Sequence, residues 1–409
     1  MFDYLRFFRR YPRPIVFGAS MTCVSSFGQT FMVSLFIPFL YTELRLSNAA
    51  FGAIYSGATL VSALLLMEAG KKVDTEALDR YTIKAELILC ASALFLAVTV
   101  HPVMLFIALF GLRFAGQGLT SHIGQTVMAR HFQKSRGKSL SLASLGYSAG
   151  ELFLPVILTF SFPLLGWRLS LSAIALLACA GVFILLKVLP VRSFERTVPE
   201  DRFDDDRGDT HGKESEPAKF DPRKDRTFWF LIAPGWVYTF AATGYFFYQM
   251  MLVNGKGWDP KWYALIFAVY ALTRVAAVFT FGYFIDRFGA RFLYPLHFAP
   301  FIAGCVVMRF SGSAASLAFF MVMMGVTMGA ASVLQSAVLA ETYGGNVIGT
   351  VRSVFASIMI FGAAAGPAAF GLLLDAGITM EKILLGLGIL TALAAAASLR
   401  TWKRPRTRG

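Results

Sequence analysis

Apolar residues gather along this chain into twelve long runs, at about 14–41, 49–69, 83–101, 103–128, 139–161, 168–189, 228–253, 261–285, 291–310, 314–340, 348–374 and 381–401. Polar and basic residues fall mostly in the short connections between them. A helix needs about 20 mainly apolar residues to cross the hydrocarbon core of a bilayer, so each run predicts one transmembrane helix. The first run is too long for a signal peptide and lacks a small-residue cleavage site, so it is expected to remain as span 1. One stretch, 190–227, breaks the pattern with Asp204-Asp205-Asp206, many Lys and Arg and several prolines. It cannot bury enough surface to fold alone. The expected organisation is an all-α membrane protein: a six-helix bundle over 1–189, a flexible cytoplasmic tether over 190–227, and a second six-helix bundle over 228–409.

Composition narrows the class further. The chain of 409 residues is 56% hydrophobic and only 15% charged, and Phe (40) outnumbers Lys and Arg together (38). A soluble domain carries about 25% charged residues, so a soluble enzyme and a disordered chain are both poor fits. Cys23, Cys90, Cys179 and Cys305 all lie inside apolar runs, which disfavours a disulfide scaffold. The net charge of +14 does not call for nucleic acid. With the N-terminus in the cytoplasm, thirty of the 38 Lys and Arg fall on that side and six on the other, with Arg113 and Arg274 left inside spans. This bias places both termini in the cytoplasm, and the expected location is the cell inner membrane.

The two halves repeat each other. Gly70 and Asp74 recur as Gly282 and Asp286 at an offset of 212, while Arg136, Gly146 and Gly150 recur as Arg352, Gly362 and Gly366 at an offset of 216. A repeat of half-chain length is the arrangement of secondary transporters whose substrate site lies at the repeat interface. The run Gly282-x-x-x-Asp286-Arg287-x-Gly289-x-Arg291, its looser copy at Gly70, Asp74 and Arg80, and Arg113-x-x-Gly116-Gln117-Gly118 in span 4 resemble motifs of the major facilitator superfamily. That resemblance implies the major facilitator fold of twelve spans and transport by alternating access. It also implies a conformational gate at Asp74, Arg80, Arg136, Asp286, Arg287, Gly289, Arg291 and Arg352. The segment 129–143 and the mid-span Arg274 are similar to the monocarboxylate and oxalate–formate branch. Tyr270 stands where monocarboxylate carriers have an Asp, and span 11 lacks the lysine of the oxalate carriers.

Ionisable groups at bilayer depth cost about 2.5–3.5 kcal/mol or more and are expected to face a cavity or a partner. Arg113, Glu151 and Arg274 lie roughly 15–20 Å into their spans at ~1.5 Å per residue. The two arginines suit a small anionic substrate, since guanidinium stays charged and offers a planar fork to a carboxylate. Each is alternatively a support for backbone carbonyls, or a partner for an acid. Glu151, read as the one acid deep in a span, is the candidate proton carrier, or else the fixed partner of Arg113. Gln29, Gln125, Tyr245, Gln249 and Tyr270 are the candidate ligand-contacting neighbours, and His122 is read as a packing residue. Gly146, Gly150, Gly362 and Gly366 are expected to let helices approach closely.

No Walker loop, zinc-ligand spacing or nucleophile elbow occurs, so neither a cofactor, a metal nor an enzymatic activity is expected. The expected function is proton-coupled transport of a small organic anion by a monomer. A drug–proton antiporter would usually carry Gly-Pro in span 5 and an acid in span 1, where this chain has Gly150-Glu151 and no acid before Glu43. A membrane assembly factor would not need charges at midplane in both halves.

Overall fold

The computed structural model describes residues 2–132, 135–195, 224–343 and 348–401, and within these every regular element is helical. The chain divides into two units, Met1–Gly208 and Asp209–Gly409. The division falls inside 190–227, most of which lies outside the described residues.

Among the described residues nine helices are long and apolar enough to cross a membrane unaided. The remaining spans are accounted for by local chemistry. Span 1 is broken into Pro12–Val24, a 3₁₀ turn Ser25–Gly28, Thr30–Ser34 and Ile37–Leu44. Span 3, Leu78–Ala97, is less apolar because it carries Asp79, Arg80, Lys84 and Glu86. Spans 5 and 6 run together as Arg136–Val188, but Gly166 (φ 73°, ψ 159°) interrupts the helix between them, in a backbone region that an L side chain rarely adopts. The twelve expected spans are thus all accounted for, six in each unit.

The break in span 1 has a steric origin. A Cβ on Gly28 would overlap the Gln117 nitrogen and the Leu112 carbonyl oxygen, and one on Gly116 would sit 2.6 Å from the Gly28 nitrogen. Spans 1 and 4 thus cross backbone on backbone. Span 4 answers with a widened π turn over Leu112–Thr120, between helices Pro102–Gly111 and Ser121–His131. Such π segments are rare and concentrate at functional sites. Gln29 takes an extended conformation (φ −78°, ψ 151°). Irregular backbone at membrane depth is tolerated only where protein buries it, and Ser25, Ser26, Phe27 and Gly28 are all buried.

Small residues make the other tight contacts, in the same places in each unit. Gly146 meets the Ala19 carbonyl and Gly150 meets Ser26, so span 5 lies on span 1. In the second unit Gly362 meets the Trp236 ring and Gly366 would place a Cβ 2.5 Å from the Phe240 carbonyl, so span 11 lies on span 7. Span 10 presents Gly325 and Gly329 to the backbone carbonyls of Tyr270 and Arg274 on span 8.

Adding a methyl at a backbone crossing should be costly, because backbone cannot rotate away. Gly28→Ala and Gly366→Ala are each expected to lower stability by about 1–3 kcal/mol. Gly386→Ala, where nothing lies within 4 Å, should not. Thermal unfolding in detergent checks this, and equal midpoints for all three variants would contradict the crossing.

Candidate substrate-binding site

In the first unit Arg113 is 4% exposed. Its Nη1 donates to the Gly28 carbonyl at 2.9 Å, and its guanidinium lies over the Tyr55 ring at 5.1 Å. The Tyr55 hydroxyl shares a 2.8 Å hydrogen bond with Thr30 Oγ1. The interruption at Gln29 explains the Gly28 contact. Met32 N–H bonds the Gln29 carbonyl instead of Gly28, which frees an acceptor at membrane depth for Arg113 to satisfy. Arg113 is not ion-paired with Glu151 among the described residues, and its Nε has no hydrogen-bond partner there.

Around this brace the polar neighbours separate into two kinds. Gln29 is half-buried at the break, and its side chain makes no hydrogen bond within the described residues. Gln125 Nε2 donates to Ser144 Oγ at 3.2 Å, tying span 4 to span 5. His122 Nε2 lies 3.2 Å from the Gly70 carbonyl at the end of span 2, a packing contact. Glu151 is buried at 9% exposure, one residue beyond the Gly150 contact with span 1. It is not the one deep acid. Glu86, roughly 12 Å along span 3 at ~1.5 Å per residue, is 1% exposed, and its Oε2 has no partner among the described residues. Its position near the start of run 83–101 hid how far the helix extends before it.

In the second unit Arg274 is half-buried, with its own carbonyl against Gly329. Its guanidinium acts electrostatically on Tyr238 of span 7. Tyr238 is 1% exposed, and its hydroxyl has no hydrogen-bond partner among the described residues. Tyr245 and Gln249 are engaged elsewhere. Tyr263 donates to Gln249 Oε1 at 2.7 Å and shares a 3.0 Å hydrogen bond with Tyr245, whose hydroxyl lies 3.4 Å from the Met321 sulfur. Tyr270 is buried against Phe246 and Phe267. Tyr263 has no motif around it that would signal this role in the sequence. Tyr238 is distinguished from the other span 7 tyrosines only by which partners it lacks.

The basic face is clasped by its own contacts. Gly289 (φ 81°) turns the chain so that Glu341, at the end of span 10, accepts from the backbone N–H groups of Ala290 (2.6 Å) and Arg291 (3.0 Å). A carboxylate there satisfies orphan donors at a helix start. Arg291 returns the contact through Nη2 to the Glu341 carbonyl at 2.7 Å and Nε to Thr342 Oγ1 at 3.1 Å. Arg352 donates to Ser336 Oγ at 2.6 Å. Asp286, Arg80 and Arg136 are exposed, and Arg287 is exposed over the Phe288 ring. The Asp74 side chain lies outside the described residues. In the first unit Asp79 pairs instead with Arg192, whose Nη2 is 2.8 Å from Oδ2. Glu341 and Arg192 were both missed; an acid ending the span that packs on span 8 was the available signal for Glu341.

At the opposite face Arg168 grips Glu43 with two hydrogen bonds of 2.7 and 2.5 Å, and Lys256 pairs with Glu381 at 2.7 Å. Both positions in the second pair are 213 residues beyond those in the first, with the charges exchanged. Each pair ties the first helix of a unit to its sixth.

The Major Facilitator Superfamily profile matches residues 19–265 and 252–409. The chain belongs to the major facilitator superfamily. Among solved structures it resembles a bacterial homologue of the human lysosomal transporter Spinster (16% identity, 97% of each chain covered, TM-score 0.72). It also resembles a variant of the nucleoside transporter NupG (13% identity, 96% of this chain and 99% of that one, TM-score 0.76). At these identities the likeness is one of fold. No curated protein matches the sequence. The protein is thus a multi-pass membrane protein of a transporter family.

The outer clasp sets an acid limit. The Arg168 guanidinium holds the Glu43 carboxyl, at the outer end of the first span, below the usual carboxylate range. A carboxyl lowered in the folded state stabilises it above the unfolded pKa, and that stabilisation is lost as pH falls through the folded value. The unfolding midpoint should therefore decline as pH drops below about 4. Arg168→Gln should lower the midpoint at pH 7 and flatten the decline; an unchanged acid profile would count against the clasp.

Proposed function

We propose that the protein is a secondary transporter that carries a small organic anion, a carboxylate, by alternating access and couples it to protons. What supports this reading is a half-buried guanidinium at span depth, Arg274, in the same unit as Tyr238, whose buried hydroxyl has no hydrogen-bond partner among the described residues. A guanidinium stays charged and presents a donor fork. A buried donor without a partner costs about 1–3 kcal/mol, and an arriving carboxylate relieves that cost at Tyr238 while meeting Arg274. The similarity of segment 129–143 and of Arg274 to the monocarboxylate and oxalate–formate carriers supports the same class. In the first unit Arg113, already committed to Gly28 through Nη1, keeps an Nε without a partner among the described residues, and Gln29 beside it is the candidate amide contact.

Coupling is assigned to Glu151, a carboxyl buried one residue beyond the close contact of Gly150 with Ser26. Asp286, Arg287, Arg352 and, in the first unit, Asp74, Arg80 and Arg136 act as the gate, with Gly289 and Arg291 anchored through Glu341. The protein works as a monomer in the cell inner membrane with both termini cytoplasmic, the orientation favoured by its basic loops.

Uptake of radiolabelled small carboxylates into proteoliposomes tests the anion site. Arg274→Lys should reduce uptake about tenfold or more, the loss of a bidentate contact. Tyr238→Phe should raise KM while leaving the unfolding midpoint unchanged or higher. Normal uptake by Arg274→Lys would sink the anion reading.

Coupling is tested separately with Glu151→Gln. Uptake driven by a pH gradient should disappear, while exchange of labelled for unlabelled substrate persists. Undiminished pH-driven uptake would remove Glu151 from the proton path.

A further inference from the structure

An apolar groove of about 230 Å³ opens between Ala299–Ser311 of span 9 and Met380–Ser398 of span 12. Ile302, Val306, Leu385, Ile389, Ala392 and Leu393 line it, and a contact between Gly388 and Cys305 forms part of its wall. From position 382 to 393 the second helix rises roughly 16 Å at ~1.5 Å per residue, about one leaflet of a ~30 Å core.

The mouth of the groove is charged. Arg309 is one turn beyond Val306, and Lys382 is one turn before Leu385. Spans 9 and 12 have opposite parity and run in opposite directions, so both cations come to the same end, opposite the basic loops. Both are exposed. Glu381, the acid next to Lys382, is taken by Lys256 at 2.7 Å. Arg309 rests only on the Phe310 ring at 5.9 Å, and neither cation has an acidic partner among the described residues. The face away from the basic loops carries only six Lys and Arg, and two of them flank this groove.

The first unit supplies an internal comparison. Its corresponding contact is Cys90 against Ala175, with Sγ 3.9 Å from the carbonyl oxygen. The positions equivalent to Arg309 and Lys382, counted from that contact, are Leu94 and Leu169. The cations therefore belong to this groove and not to the repeat.

We propose that the groove is a binding site for an anionic phospholipid, with one acyl chain along spans 9 and 12 and the headgroup phosphate between Arg309 and Lys382. Lipid tails are as apolar as the lining, so the chain alone gives little selectivity. Selectivity comes from the two cations, which near a membrane surface favour anionic lipid. The site is independent of the anion-transport reading.

The test uses the purified full-length protein in neutral detergent, with bound lipid counted by native mass spectrometry. The probes are phosphatidylglycerol, phosphatidylcholine of the same chains, and inorganic phosphate. The wild type should retain phosphatidylglycerol about tenfold better than phosphatidylcholine, and inorganic phosphate should not displace it. The double variant R309Q/K382Q should lose that preference, R309K/K382R should keep it, and Ala392→Phe should reduce retention of both lipids by filling the groove. Circular dichroism confirms that each variant is folded, and the charge-conserving R309K/K382R remains informative if the neutral one is not. Equal retention of the two lipids by the wild type, or an undiminished preference in a folded R309Q/K382Q, overturns the proposal.

Discussion

A carbonyl oxygen inside a bilayer must have a donor, and among the described residues the Gly28 carbonyl finds it in Arg113. Much of the first unit's interior follows from that requirement. Gly28 and Gly116 bring spans 1 and 4 into backbone contact, the contact interrupts the helix at Gln29, and the interruption releases the acceptor. The π turn in span 4 accompanies the crossing and carries Arg113 within reach. A charge that would be costly in hydrocarbon is thus stabilised by the irregularity it supports, and the same irregularity leaves the Gln29 amide uncommitted.

The second unit repeats the scaffold without repeating this device. Gly366 and Gly244 give span 11 its close approach to span 7, as Gly150 gives span 5 its approach to span 1. Span 7 nevertheless stays one helix, Arg226–Gly255, despite Pro234. Its polar interior is instead held by the Tyr245–Tyr263–Gln249 network. Span 7 therefore has no counterpart of the Gly28 break that Arg113 braces in the first unit.

Span number, the repeat and the small-residue contacts were legible because each is a property of spacing: an apolar run of bilayer length, or glycine every fourth residue. The roles of polar residues were less legible. Tyr238, Tyr245 and Tyr248 lie on one helix, and nothing local says that Tyr245 meets Tyr263, that Tyr248 donates to the Pro367 carbonyl, and that Tyr238 meets no acceptor among the described residues. Those outcomes depend on neighbours up to 119 residues away. Glu341 was hidden for the same reason, since its role comes from the Gly289 turn that brings Ala290 and Arg291 N–H groups to it. A break such as that at Gln29 is also invisible to hydropathy, because the residues around it stay apolar.

The exchanged charges of the two outer clasps bear on how twelve similar helices sort themselves. Were both clasps of one polarity, the helix ending in Glu43 would be attracted as strongly to span 12 as to span 6. With the charges reversed, that mistaken union sets Glu43 against Glu381, and the reciprocal one sets Lys256 against Arg168. Like charges repel in each exchanged assembly, while opposite charges meet in each correct one. The charges at these helix ends thus match each unit's own first and sixth helices and oppose the exchanged pairings.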